Sequence, residues 1–136
     1  MQKDNKFNVS DERRMVVRKL ANERLFPNMD VWIHELKKCR FSVGPRFHGN
    51  VAAILAGIPA LFVCHCQRVR EMIEFFGFPS VEIEKYLEIL KVNNYDLSVF
   101  EDFLDYSIFN ERYPSLYDNF KEFLKLNELK MNDGGQ

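Results

Sequence analysis

The sequence has no apolar run of transmembrane length, and its charged start, "MQKDNKFNVSDERR", has no apolar segment behind it. A spanning helix and a secretory signal are therefore not expected, and the cytoplasm is the expected compartment. It also lacks an excess of either charge: nineteen Lys and Arg face twenty Asp and Glu, for a formal charge of -1. Nothing draws the whole molecule to nucleic acid or an anionic membrane, so any anion must be held locally. Cysteine is scarce. Cys39, Cys64 and Cys66 are odd in number and have no disulfide-framework spacing, which points to free thiols in a reducing compartment. There is no Gly-x-Gly-x-x-Gly, no Walker loop and no Gly-x-Ser-x-Gly elbow, which removes the commonest nucleotide and hydrolase classes.

What is present is enough for a core: 136 residues, 46% hydrophobic, amount to one ordinary domain. Three apolar sets share the i, i+3, i+4, i+7 spacing of a helix with one buried face. They are Met29, Trp32, Ile33 and Leu36; Val51, Ile54, Leu55 and Ile58; and Val69, Met72, Ile73 and Phe76. Strand-type runs lie between and after them: "FSV" at 41–43, "ALFVC" at 60–64 and, more weakly, "VEI" at 81–83. The alternation of helix and strand, with one strand apolar on both faces, predicts parallel α/β units of the doubly wound kind.

Gly57 with Pro59, and Gly77 with Pro79, should close the second and third helices. Ala52, Ala53, Ala56 and Gly57 are small enough to let the second helix lie close to the sheet. From about Asn94 the pattern turns helical only, with one stripe of Leu97, Phe100 and Leu104 and another of Leu116, Phe120, Phe123 and Leu124. Pro114 is expected to mark a break or a first-turn position between them. Before residue 29, Ser10 could cap a helix with Met15, Val16 and Leu20 inward. Its Arg13, Arg14, Arg18 and Lys19 suit a solvated face, with nucleic-acid binding the minor alternative. The chain thus divides into a helical lead-in at 1–28, an α/β unit at 29–93, helices at 94–131 packing back on it, and a disordered tail at 132–136. Trp32 and the thirteen phenylalanines, Phe75, Phe76 and Phe78 among them, are expected in the core, and Asp102, Asp105, Glu111 and Asp118 on solvated faces.

The segment with chemistry is "SVGPRFHGN". In a parallel sheet, ligands bind beyond the carboxyl ends of the strands, where loops enter helices whose first amides are unpaired. Here the loop follows "FSV" and precedes a helix expected to begin near Gly49 or Asn50. Arg46 brings a planar fork of donors for a carboxylate or phosphate, and His48 a group that exchanges protons near neutral pH. On spacing alone, a surface ion pair for Arg46 and a helix cap for His48 fit as well. His65, Cys66, Gln67 and Arg68 follow the next strand, so His65 and Arg68 could share the crevice. "CHC" has zinc-type ligands but not zinc-type spacing, and Cys64 ends an apolar strand, so no metal is expected.

The run "WIHELKKCRFSVGPRFHGNVAAILAGIPALFVCHCQRVREMIEFFGFPS", continued by "FEDFLDYSIFNERYPSLYDNFKEFLKLNEL", resembles the C-terminal part of polysaccharide pyruvyltransferases over residues 29–129. Arg-x-His-Gly, Ala-Gly-x-Pro and His-x-x-Arg carry it. The resemblance implies one Rossmann-like, three-layer parallel-sheet half of a GT-B-like fold with a C-terminal helical extension. It also implies an enzyme moving a pyruvyl group from phosphoenolpyruvate to a saccharide as a ketal for a cell-surface polysaccharide, with phosphoenolpyruvate as co-substrate and no cofactor. It places Arg46 and His48 in the phosphoenolpyruvate site and, more weakly, His65 and Arg68 at its border; the chemistry of ketal formation makes His48 the expected acid/base, with Arg46, Gly49, Asn50, His65 and Arg68 expected to contact substrate.

The chain is short for both halves of such an enzyme. It is expected to be a fragment, a truncated gene product or one half of a split enzyme, inactive without an N-terminal half and prone to self-association or poor solubility. The competing expectations are a GT-B-like domain using a nucleotide-sugar and a non-catalytic interaction domain.

Overall fold

In the computed structural model, residues 24–131 are described; the lead-in helix expected around Met15 to Leu20 and the tail at 132–136 lie outside them. In chain order the elements are α1 (Met29–Leu36), β1 (Ser42–Gly44), α2 (Phe47–Leu55), β2 (Ala60–Cys64), α3 (Gln67–Phe76), β3 (Ser80–Glu82), α4 (Ile83–Val92), a 3-10 helix (Leu97–Phe103) and α5 (Ser107–Leu126). The three strands form one parallel sheet in the order β1-β2-β3, with Gly44 beside Phe62 and Cys64 beside Glu82. This is the α/β class that the alternation predicts.

The central strand organises the core. All five residues of β2 are buried, and a strand's side chains alternate between faces. Leu61 and Val63 enter one cluster with Val81, Tyr86, Leu90 and Phe100. Ala60, Phe62 and Cys64 enter another with Ala53, Val69 and Ile73. Helices α2 and α3 therefore cover one face, and α4 with the 3-10 helix covers the other, giving three layers. Burying each large side chain contributes about 1.5–3 kcal/mol, and Phe62, Phe100, Leu61 and Leu90 are all nearly inaccessible. Among the described residues, no helix is long and apolar enough to cross a membrane.

Several elements differ from expectation, each for a physical reason. The stripe of Val51, Ile54, Leu55 and Ile58 is buried only in part: Ile54 and Ile58 pack half-buried against the core, but Leu55 is 67% exposed, and the fully buried apolar side chains of this segment are Ala52, Ala53 and Ala56. Small side chains allow the helix axis close to the sheet, and that proximity outweighs the larger apolar set. "VEI" is cut short: β3 ends at Glu82, and Ile83 opens α4, a helix the expectations omitted although Ile83, Tyr86, Leu87 and Leu90 have helical spacing. Helix α1 buries no residue fully, and Phe75 is 60% exposed, so neither is core.

Pro114 neither breaks nor starts a helix; α5 runs through it. Proline there removes one backbone donor and sets its ring against the carbonyl of Asn110, a cost of about 3 kcal/mol in a helix interior; Asn110 is exposed, so its freed carbonyl is open to solvent. The first turns of α5 dock: Phe109 stacks on Phe78 at 5.0 Å, and Arg112 donates to the carbonyl of Glu74. Further along, Tyr117, Phe120 and Phe123 are exposed. Glycines close α2 and α3 as expected, Gly57 at φ 82° and Gly77 at φ 74°, a region that costs other residues a clash of Cβ with the backbone.

Candidate functional site

Strand β1 ends at Gly44, and the chain turns through Pro45 and Arg46 into α2. The helix begins earlier than expected, at Phe47 rather than near Gly49 or Asn50, with Arg46 as its N-cap residue in extended conformation. His48 is consequently in the first helical turn. Phe47 explains the early start: its ring lies 5.2 Å from Phe62 and 6.2 Å from Phe78, which anchors the turn in the core. The residues on either side of it, Arg46 and His48, are exposed. No side chain caps this helix, so its first amides are left to solvent or a ligand. Gly49 is half-buried, with the Trp32 ring 3.8 Å from where a Cβ would stand.

Asn50, expected at the substrate, is 2% exposed. Its Oδ1 accepts from the Ser42 hydroxyl at 2.9 Å, and its Nδ2 donates to the carbonyls of Gly44 at 2.9 Å and Leu61 at 3.3 Å. Both amide hydrogens are thus engaged by the protein. The side chain joins the end of β1, the first turn of α2 and the middle of β2.

The second loop leaves the same edge of the sheet. After Cys64 come His65, Cys66, Gln67 and Arg68, all exposed, with Cys66 the uncapped N-cap of α3. Parallel pairing of β1 with β2 brings the two loops to one end of the sheet, as the sequence predicts. Cys64 is a free thiol facing the core, where burial, first, and the charge of Glu82 push its pKa up. It stays protonated near neutral pH. Cys39 and Cys66 are free and exposed.

Ion pairing separates the arginines into two groups. Arg24 pairs with Glu35, Arg40 with Glu101 and Arg70 with Glu82, and Arg112 is held by the Glu74 carbonyl. The guanidinium groups of Arg46 and Arg68 have no hydrogen-bond or ion-pair partner among the described residues. These two are the ones that flank the uncapped helix starts at the carboxyl end of the sheet. Arg70 and Glu82, missing from the sequence-based set, meet at the same end: Nη1 and Nη2 donate to Oε1 and Oε2 at 2.6 and 2.8 Å. That bidentate bond, above all, holds the Glu82 carboxyl below the usual range and raises Arg70. Twelve residues separate them in the chain, and only the crossover through α3 shows that they meet.

The arrangement is an exposed cationic edge: two unpaired guanidinium groups and two imidazoles beside unpaired backbone amides. It suits a small molecule bearing carboxylate or phosphate groups. The family model for Polysaccharide pyruvyl transferase matches residues 2–65, just under half of the chain. The match takes in β1, the Arg46 to Asn50 turn, β2 and His65, and over that stretch the chain is similar to the family its residues resemble; Arg68 and the later helices lie beyond it. No curated protein and no solved structure matches the chain.

Proposed function

We propose that this chain carries the phosphoenolpyruvate-binding edge of a pyruvyl transferase, which moves the pyruvyl group onto two hydroxyls of a saccharide as a ketal. The observation that carries the proposal is the pair of unpartnered guanidinium groups, Arg46 and Arg68, at the carboxyl end of a parallel sheet. Phosphoenolpyruvate has two anionic ends, a carboxylate and a phosphate, so two separate anion holders suit it better than one.

The reaction sets further demands. A proton must reach the enol methylene, positive charge then develops at the adjacent carbon, one saccharide hydroxyl adds there, phosphate leaves, and the second hydroxyl closes the ketal. The hydroxyl protons leave with a base or the departing phosphate. His48, exposed beside Arg46, is the proposed acid/base. Arg46 would hold an anionic end of the donor, with His65 and Arg68 on the facing loop as further contacts and Gly49 at the turn between them. Asn50, with both amide hydrogens engaged by the fold, is a support of the turn rather than a donor to substrate in this scheme.

Arg46, His48, His65 and Arg68 lie on an open edge, and among the described residues no element covers it. A saccharide acceptor therefore needs a second surface facing the edge. In a GT-B-like arrangement that surface belongs to another half-domain, and turnover would require it. His48→Ala should remove most turnover from an active assembly while leaving the fold intact, and near-normal rates would refute the assignment. Thermal melting with phosphoenolpyruvate and, separately, with nucleotide-sugars distinguishes the donor classes, because only a ligand that binds the native state raises the melting temperature. Stabilisation by phosphoenolpyruvate alone is expected. Stabilisation by a nucleotide-sugar alone would transfer the site to the glycosyltransferase class, and by neither, to a non-catalytic domain.

A further inference from the structure

Asn50 is the buried polar side chain of the described core, and it sits at the functional edge of the sheet. Its bond to the Gly44 carbonyl reaches back across the turn, so residues 44–50 form a closed ring pinned at both ends, with Arg46 and His48 between the pins. Its bond to the Leu61 carbonyl ties that ring to β2, the strand that ends in the His65 loop. The two carbonyls, which can only accept, fix which end of the amide carries the hydrogens, and the Ser42 hydroxyl donates to the remaining Oδ1. We propose that Asn50 and Ser42 are positioning residues: they hold the turn that presents Arg46 and His48 at a set place relative to the β2–α3 loop, without contacting the ligand themselves. The identity of that ligand rests on the phosphoenolpyruvate proposal; the clamp does not.

Other residues at position 50 fail on chemistry. Aspartate would bring oxygens, not hydrogens, to two carbonyls, and alanine would leave those carbonyls with only their partners in the sheet, untied from the turn. Because the ring encloses the turn, loss of the clamp should loosen residues 45–49 before it loosens the sheet.

The test combines hydrogen exchange with calorimetric titration of phosphoenolpyruvate, using the full chain as wild type, Asn50→Ala and Ser42→Ala. Leu90→Ala, in the opposite core cluster, serves as a destabilised control. In both clamp variants, exchange should rise relative to α4 at the first hydrogen-bonded amides of α2, from Asn50, whose N–H donates to the Arg46 carbonyl, onward, and phosphoenolpyruvate affinity should fall about tenfold for Asn50→Ala, and less for Ser42→Ala, as expected for loss of the hydrogen bonds that hold the turn. Leu90→Ala should lower the melting temperature without changing affinity. A uniform rise in exchange, no rise, or local loosening with unchanged affinity would overturn the proposal. If the wild type does not bind phosphoenolpyruvate, the ligand assignment fails and the exchange pattern alone decides the clamp. Should Asn50→Ala not fold, Ser42→Ala decides both readouts.

Discussion

The hydroxyl of Tyr106 straddles the backbone of Ala60, accepting from its N–H at 2.8 Å and donating to its carbonyl at 2.7 Å. The reason lies in the sheet. Phe62 donates to the Pro79 carbonyl, so the even residues of β2 turn their polar groups toward β3, but β3 begins only at Ser80, opposite Phe62. Ala60 projects past the start of that strand. Tyr106, held by the chain between the 3-10 helix and α5, supplies both missing partners, and burial pushes its phenol pKa up despite the bond to Ala60. Tyr106→Phe should therefore destabilise the fold by about 1–3 kcal/mol, since it leaves two backbone groups unpaired. Urea unfolding checks this, and an unchanged midpoint would mean that water replaces the hydroxyl.

Gly77 carries two independent constraints. Its φ of 74° disfavours any side chain, and a Cβ there would lie 2.6 Å from Cγ2 of Ile108, where α5 docks. Gly77→Ala should cost about 1–2 kcal/mol from the backbone alone and displace the start of α5 in addition. Weakened hydrogen-exchange protection at residues 108–112 would show the second effect. If Ile108→Ala restores that protection in the Gly77→Ala background, the contact is the cause.

Arg70 and Glu82 predict the sign of a pH effect. Glu82 has a folded pKa below its unfolded value, so its contribution is present above the unfolded value and is lost as pH falls through the folded one. The stability difference between wild type and Glu82→Gln should be full at neutral pH and shrink in acid, below the ordinary carboxylate range near ~4.3. Both side chains are partly exposed, so the difference is small and falls with added salt. Denaturation at neutral and acid pH measures it; a difference constant with pH would point to packing instead.

How far the sequence reveals this molecule differs from residue to residue. "ALFVC" is a buried central strand because five apolar residues in a row admit no solvent-facing side, and Gly57 and Gly77 mark helix ends because positive φ favours them. The Arg46 to His48 turn is legible for the same local reason, as a loop between a strand and a helix. Leu55 misleads because periodicity registers apolar residues and undervalues alanines that permit close approach. Asn50 reads as an ordinary polar residue near a helix start, and only the fold shows it reaching Leu61. Tyr106 and Ala60 are 46 residues apart, as are no pairs that spacing rules address. The arginines at 46 and 68 stand out from those at 40, 70 and 112 only once every carboxylate and carbonyl partner is in place.

In the proposed function, Arg46 and Arg68 together hold the two anionic ends of phosphoenolpyruvate. Calorimetric titration of phosphoenolpyruvate into wild type, Arg46→Lys, Arg46→Ala and Arg68→Ala tests it most directly, with inorganic phosphate as the comparison ligand. Phosphoenolpyruvate should bind the wild type more tightly than phosphate does. Each alanine variant should lose about tenfold or more in affinity, within the range for a charged hydrogen bond, and Arg46→Lys should lose less, since a point charge replaces the fork. Equal affinity for phosphate and phosphoenolpyruvate, or alanine variants that bind as the wild type does, would contradict it.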